Sequence, residues 1–251
     1  MPEYSIVIPV YNESPVITSS LTQVLNFMKT FSGNFEIIVV DDGSTDKTVE
    51  AVEKYITNDE PSVKLLKLPH RGKGAAVTSG VKEARGLYIY LADADFATNI
   101  IELKKLSVWM REQDYDIVIA SREGFGAQRI GEPLYRHLMG RIFNYWVQLV
   151  ALYGINDSQC GFKLFKNSVA KDIFSRLKIY GDNKKELTKP YFGALDVEAL
   201  FIARKLNYRI KEVPVTWMYV KTTRLRIIHN SFQMAWDVFR IRLTDVTGGY
   251  K

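Results

Sequence analysis

The chain has 251 residues, 47% apolar and 25% charged, a globular composition with enough length for one large or two small domains. A single cysteine, Cys160, excludes an internal disulfide and fits a reducing compartment. The net charge of +6 is uneven: Arg204 to Lys251 hold ten Lys/Arg against three acids, which leaves the preceding residues nearly neutral.

That basic C-terminal fifth reads either as a solvated face or as a surface for phosphates, nucleic acid or an anionic membrane. No basic segment precedes the short apolar run Ile6 to Val10, and no run reaches the ~20 apolar residues of a membrane span. A cytoplasmic protein, peripherally associated with a membrane, is the expectation.

Ser5 to Val10 reads as a buried strand. Ser14 as N-cap and Pro15 at the first helical position then predict a helix carrying Val16, Leu21, Val24, Leu25 and Met28. Phe35 to Val40 is a second strand ending in Asp41-Asp42-Gly43-Ser44, and Ser44-Thr45-Asp46 predict a helix start. Val63 to Leu68 is a third strand. The loop His70-Arg71-Gly72-Lys73-Gly74 leads into a helix to about Ala84. Leu87 to Ala92 is a fourth strand, followed by a helix over 100–111 and a strand over 116–120. Leu134 to Tyr153 is an apolar, aromatic helix too polar to span a bilayer. It suits a core, a dimer face or the surface of a membrane. Asp157 to Phe165 is compact, Tyr180 to Pro190 a polar loop, Ala194 to Lys205 a helix and Arg209 to Trp217 a strand. Ile228, Phe232, Trp236, Phe239 and Leu243 form the stripe of a basic amphipathic helix flanked by Arg224, Arg226, Arg240 and Arg242.

Alternating strands and helices with continuous apolar strands predict a mainly parallel sheet covered on both faces. Ligands of such sheets bind beyond the carboxyl ends of the strands. Glu13, Asp42 and the pair Asp93/Asp95 each follow a different strand there. In Asp93-Ala94-Asp95, at the end of the fourth strand, alternation puts the two carboxylates on one face, within reach of the same ligand. Two like charges that close call for a cation between them, and hard oxygen ligands suit Mg²⁺ or Mn²⁺ carrying a diphosphate. An ordinary acidic turn is the competing reading of so short a pattern. No Gly-x-Gly-x-x-Gly follows the first strand, and there is no P-loop and no Gly-x-Ser-x-Gly elbow. His70, His137 and His229 lie far apart without metal-ligand spacing and read as structural or solvated.

Four stretches in this order resemble the family 2 glycosyltransferases of the GT-A fold. They are Ile8 to Glu13, Val40 to Asp46, Arg71-Gly72-Lys73-Gly74 and Asp93-Ala94-Asp95. Within that family the chain resembles the dolichyl-phosphate β-glucosyltransferase type through Ala92 to Thr98, Asp157 to Phe165, Asp196-Val197-Glu198 and Ile241 to Gly249. The resemblance implies a single GT-A domain, a Rossmann-like α/β/α sandwich. Residues 1–122 would bind the nucleotide sugar, and residues 123–251 would face acceptor and membrane.

By the same resemblance Pro9, Tyr11, Glu13, Val40 and Asp42 wall the base and ribose pocket, and Lys73 contacts diphosphate or base. Asp93 and Ala94 meet the ribose or metal, and Asp95 is the metal ligand. Arg122 reaches donor or acceptor phosphate, and Arg224 sits on a mobile loop over the phosphates. Asp157 falls where relatives carry a catalytic carboxylate, for acceptor positioning or base work, although a helix cap or turn residue fits it equally. The implied reaction is inverting transfer of a hexose, glucose from UDP-glucose first, onto a polyprenyl or dolichyl phosphate with Mg²⁺ or Mn²⁺. An acceptor phosphate is already an anion, so alignment and stabilisation of the leaving diphosphate are the main tasks.

The chain departs from the family at Phe96 and Thr222, where glycine is usual, at Arg224 for lysine and at Leu195 for phenylalanine. The N-terminal anchor of eukaryotic relatives has no counterpart in it. GDP-mannose or a UDP-N-acetylhexosamine as donor, or a polysaccharide acceptor, is the alternative within the family. A non-catalytic membrane or nucleic-acid binder is the alternative outside it. Intact carboxylates and Gly72-Lys73-Gly74 argue against that one, and no nucleic-acid partner is expected. The oligomeric state is left open.

Overall fold

A computed structural model describes residues 1–56, 62–181, 186–187, 193–220 and 227–250, with the side chains of 227–231 outside the description. Seven strands form one sheet in the order β3-β2-β1-β4-β7-β5-β8. They are β1 (Tyr4–Val10), β2 (Phe35–Asp41), β3 (Val63–Lys67), β4 (Tyr88–Leu91), β5 (Ile117–Ser121), β7 (Lys163–Lys166) and β8 (Ile210–Pro214). All neighbouring pairs are parallel except those of β7, which runs antiparallel between β4 and β5. A second, two-stranded sheet pairs β6 (Gln128–Ile130) with β9 (Thr216–Met218).

Both faces of the sheet are buried. On one, Ile6, Ile8 and Val10 pack with Leu21, Val24 and Met28 of α1 (Ile17–Phe31), and with Leu103, Leu106 and Met110 of α4 (Leu103–Glu112). On the other, Val7, Ile38 and Val40 meet Ala76, Val77 and Val81 of α3 (Lys73–Glu83). Helices α6 (Asn167–Ser175) and α7 (Leu195–Lys205) extend that face. Gly80 lets α3 lie close on the sheet, because a Cβ there would stand 2.4 Å from Val7 Cγ1. The fold is thus the expected α/β/α sandwich. Two longer helices complete it: α5 (Leu134–Val150) and α8 (Ile227–Val246), joined where Trp146 Nε1 donates to the Ala235 carbonyl at 3.1 Å.

Local differences from expectation have physical causes. Helix α1 starts at Ile17, not at Pro15, because Val16 and Ile17 first close a turn on the Glu13 carbonyl, and Ser14 makes no side-chain cap. Helix α2 (Thr48–Glu53) starts later than Ser44, because Asp46 accepts from the Thr48 backbone N–H at 3.0 Å. The strand expected over 209–217 is two, divided at Val215, whose N–H bonds to Ser121 while its carbonyl accepts from Gln128. Strand β7, which takes up the last residues of the compact 157–165 segment, and helix α6 after it were not anticipated. The polar loop at 180–190 lies largely outside the described residues. Helix α8 ends with Gly248 at φ +83° and the Gly249 N–H on the Thr244 carbonyl, a Schellman-type stop. The reversal sends Tyr250 inward, where its hydroxyl donates to Glu198 at 2.7 Å.

Candidate active site

Every parallel strand from β1 to β4 ends at the same rim. Because β7 runs the other way, its incoming segment, Asp157 to Phe162, reaches that rim too. A cleft of about 420 Å³ opens there. Pro9, Tyr11, Glu13 and Asp42 line it from the first two strands. Lys73, Asp93, Ala94, Asp95 and Arg122 complete the set that the sequence placed there. Val40 does not reach the cleft; it is fully buried in β2, packed towards Gly80. Asp157 does not line it either, and Arg224 lies outside the described residues.

The loops after β1 and β2 are latched together. Asn12, in the left-handed region at φ +54°, accepts with its side chain from the Thr45 and Asp46 N–H groups at 2.7 and 3.2 Å. The Glu13 N–H donates to Thr48 Oγ1 at 2.8 Å. Asp42 turns its carboxylate to the glycine loop. It accepts from the backbone of Arg71 at 2.7 Å and of Gly72 at 2.8 Å, and lies 2.8 Å from His70 Nδ1. His70 in turn stacks on Tyr11, with ring centroids 4.1 Å apart at 12°. Asp42 therefore acts by shaping the loop, and His70 is a wall residue that its isolation in the sequence concealed.

The aspartate pair is not on a strand. Strand β4 stops at Leu91, and the Phe96 N–H closes a turn on the Asp93 carbonyl at 3.2 Å. The carboxylates share the cleft because of that turn, not because of strand alternation. Phe96 takes the left-handed φ of +44° that the family's glycine would accept freely. Its buried ring packs edge-on against Phe162, centroids 5.4 Å apart, which offsets a strain of about 1–3 kcal/mol.

Lys73 Nζ donates to Asp93 Oδ1 at 2.6 Å. Both side chains are about two-fifths exposed, so solvent screens the pair and its value lies in charge placement. Burial opposes ionisation of Asp93, but Lys73 outweighs it and holds the carboxyl below the usual range. Asp95 differs: partial desolvation and the Asp93 carboxylate push its pKa up. Among the described residues no third His, Cys, Asp or Glu joins the pair. Two carboxylates with an unbalanced charge fit a divalent cation whose other ligands are substrate oxygens and water. Gly161 presses on Asp93 so closely that a Cβ would lie 1.8 Å from Oδ2.

Arg122 projects from the end of β5. Its Nε and terminal N–H bind both oxygens of Asp157 at 2.8 Å, and its backbone N–H binds the same carboxylate at 2.8 Å. Burial penalises the Asp157 charge, yet Arg122 overrides this and keeps the carboxyl below the usual range. Asp157 is thus an acceptor committed to Arg122, poorly suited to taking a proton.

Sequence reasoning gave no role to several other residues here. Asp196 lines the cleft and accepts at 2.6 Å from Lys163, whose amine is almost wholly buried and also bonds the Cys160 carbonyl. Arg71 and Arg136 line it as well, and Arg71 Nε is buried without a hydrogen-bond partner among the described residues. Arg71 lay within the quoted Arg71-Gly72-Lys73-Gly74 stretch without a role of its own, and Arg136 carries no spacing signal, so only the fold brings the two into the cleft. The assembled cleft offers cations for a polyanion, two carboxylates for a cation and an aromatic wall for a flat ring.

The family model described as Glycosyl transferase family 2 matches residues 5–174. The chain is 35% identical over 259 residues to a dolichyl-phosphate beta-glucosyltransferase of Dictyostelium discoideum, covering 98% of this chain and 76% of that protein. To the Homo sapiens protein of the same name it is 31% identical, covering 99% of this chain and 78% of the relative. Among solved structures it is similar to glucosyl-3-phosphoglycerate synthase from Mycobacterium tuberculosis in complex with phosphoglyceric acid. There the TM-score is 0.64 at 16% identity, over 97% of this chain and 79% of that one. It is also similar to the mannosyltransferase PcManGT from Pyrobaculum calidifontis, solved with GDP-Man and Mn2+. That match has a TM-score of 0.56 at 19% identity and covers 89% of this chain and 58% of that one. At such identities these two structures speak to the fold alone.

Proposed function

The chain belongs to glycosyl transferase family 2, and on that premise we propose that it moves glucose from UDP-glucose to a polyprenyl or dolichyl phosphate, with inversion at the sugar carbon. The observation that carries this reading is the meeting of Asp93, Asp95, Lys73 and Arg122 in one cleft. It occurs in a chain similar along 98% of its length to a dolichyl-phosphate beta-glucosyltransferase. In this reading residues 1–122 bind the donor and residues 123–251 face acceptor and membrane, within one domain whose main sheet takes strands from both halves.

Asp93 and Asp95 would hold Mg²⁺ or Mn²⁺, which supplies positive charge to the diphosphate that leaves. Lys73 answers the same charge. The Asp93 and Asp196 carboxylates keep its ammonium protonated against the cost of burial, so it is a cation throughout the physiological range. Tyr11, backed by His70, offers a flat face to the base, and Glu13 lies beside it. Arg122 is held in one orientation by Asp157, which fixes the direction of its free edge towards an incoming phosphate. Asp157 is a positioning residue in this scheme, and the acceptor phosphate, ionised at neutral pH, needs no strong base. No helix among the described residues is long and apolar enough to cross a membrane, and attachment to the membrane surface is part of the proposal.

A turnover screen tests it. UDP-glucose, UDP-N-acetylglucosamine and GDP-mannose are offered with Mg²⁺ or Mn²⁺ and a polyprenyl phosphate. The expected result is metal-dependent lipid-linked glucose from UDP-glucose. Product from another donor would replace the sugar assignment, and donor binding without lipid product would replace the acceptor.

A further inference from the structure

Strand β9 meets three parts of the cleft that arrive from separate stretches of the chain. Its Trp217 lines the cleft, and the Arg122 guanidinium lies over the buried indole with Cζ 5.3 Å from the ring centroid. Two residues on, Tyr219 carries the Arg136 guanidinium in the same way at 5.0 Å. Positions i and i+2 of an extended segment share a face, and the two rings stand 6.1 Å apart. The ladder thus runs Arg122, Trp217, Tyr219, Arg136, with both arginines in the cleft lining. The backbone of β9 meets the third part, the aspartate turn. Trp217 forms an antiparallel bridge with Thr98, and the Met218 N–H donates to the Ala97 carbonyl at 2.7 Å. Ala97 in turn donates its N–H to Asp95 Oδ1 at 3.1 Å.

We propose that Trp217 and Tyr219 are positioning residues for transfer: they set the tilt of Arg122 and Arg136, and the strand that carries them fixes the distance of that pair from the aspartate turn. The proposal rests on the reading of the two arginines as contacts of the acceptor phosphate. The rings matter for what they leave free. A carboxylate partner neutralises an arginine and occupies its donors, as Glu123 and Glu132 do at Arg129. An aromatic ring holds the guanidinium by its face and consumes no donor. Asp157 takes the Nε and Nη2 side of Arg122, and Nη1 has no hydrogen-bond partner among the described residues. The Arg136 guanidinium has neither hydrogen bond nor ion pair among them, so Tyr219 is what orients it. Spacing matters because the transfer is in line. An acceptor phosphate oxygen bonds the sugar carbon while the diphosphate oxygen on the opposite side leaves with the bonding pair. The arginines meet the first group and the aspartate turn serves the second, and β9 is bonded to both. Main-chain pairing of β9 with β6 holds the strand in place whatever side chain stands at 217.

The test is transfer from UDP-glucose with Mn²⁺ to a short, water-soluble prenyl phosphate, beside UDP affinity by calorimetry. Trp217→Leu and Trp217→Phe are made in the wild type and in Arg122→Ala. Trp217→Leu should raise the acceptor KM and lower kcat, each about tenfold, with UDP affinity held within about twofold. Trp217→Phe keeps a π face and should recover most of both losses. Trp217→Leu should cost nothing further once Arg122 is alanine, since it acts through that side chain. Tyr219→Leu, at a partly exposed position, covers the case in which the Trp217 variants fail to fold. It should raise the acceptor KM about fivefold in the wild type and not at all in Arg136→Ala. Equal losses in the leucine and phenylalanine variants that track Tm, or the same cost in both backgrounds, would reduce the rings to packing and overturn the proposal. A matching loss of UDP affinity would overturn it too, by moving Trp217 to the donor side. A wild-type acceptor KM in Arg122→Ala itself would instead refute the acceptor-phosphate reading beneath it.

Discussion

Gly161→Ala isolates the placement of Asp93 from its chemistry. Gly161 has no left-handed backbone angle, so alanine brings no torsional strain and the added methyl acts only by its volume. The new Cβ would stand 1.8 Å from Asp93 Oδ2 and 2.4 Å from Cγ. An ordinary contact is about 3.4 Å or more, so the carboxylate must retreat by roughly 1.5 Å. It can do so, being the end of a half-exposed side chain, but it then leaves Lys73 Nζ, now 2.6 Å away. A misplacement of about 1 Å costs on the order of 100-fold in rate, so kcat with UDP-glucose and a polyprenyl phosphate should fall about 100-fold. Stability should fall by less than about 1 kcal/mol, because a swinging side chain relieves the overlap that a rigid core could not. Steady-state turnover at saturating Mn²⁺ beside thermal unfolding measures both. Wild-type kcat in a folded Gly161→Ala protein would refute the idea that this close approach sets the position of Asp93.

Other expectations follow from the same geometry. Asp95→Ala should abolish transfer, by about 1,000-fold or more, with Tm unchanged, since it removes a charge repelled by Asp93 and no core atom; persistent turnover with Mn²⁺ would remove it from the metal site. Asp157→Asn should lower stability by about 2–3 kcal/mol by stranding Arg122 donors, and should cut kcat/KM while leaving the pH–rate profile unshifted. Because Arg122 holds the Asp157 carboxyl below its usual range, its contribution is complete at neutral pH and drains away as pH falls below about 4 towards the folded-state value. Acid unfolding followed by circular dichroism should therefore show a flatter acid limb in Asp157→Asn than in the wild type. Arg136→Ala should raise KM for the lipid acceptor about tenfold with donor affinity unchanged, and a matching loss of donor binding in calorimetry would move Arg136 to the nucleotide side.

The first half of the fold was legible because its strands are continuous apolar runs bounded by turn chemistry, as in Ser5 to Val10 and Phe35 to Val40. Asp93, Asp95 and Lys73 were legible for a related reason, as each sits just beyond such a run. Strand β7 was not, because Lys163-Leu164-Phe165-Lys166 is short and bracketed by lysines. Its Lys163 is buried only by virtue of an ion pair with Asp196, thirty-three residues away, which no local pattern encodes. The duty of Asp157 was hidden for the same reason. A carboxylate after a helix reads as acid, base or cap, and only the arrival of Arg122 from β5 decides among them. The C-terminal stripe faces solvent, and that depended on which side of α8 the Tyr180 hydroxyl and the core would claim.

The inward-turning end of the chain carries a consequence for synthesis. Glu198 has no exposed surface and accepts from the Lys178, Ile179 and Tyr180 backbone N–H groups as well as from the Tyr250 hydroxyl. Tyr180 then donates to Asp237 of α8 and supports the N–H of Ala194, beside the cleft. One of the donors to a carboxylate at residue 198 is therefore translated more than fifty residues after it. Any folding of the sheet before Tyr250 docks would leave the Glu198 carboxylate one donor short in the interior. The cleft wall at Ala194 is tied through Tyr180 and Glu198 to the turn after α8, and a lesion at Gly248, Gly249 or Tyr250 should be felt first in the yield of folded protein.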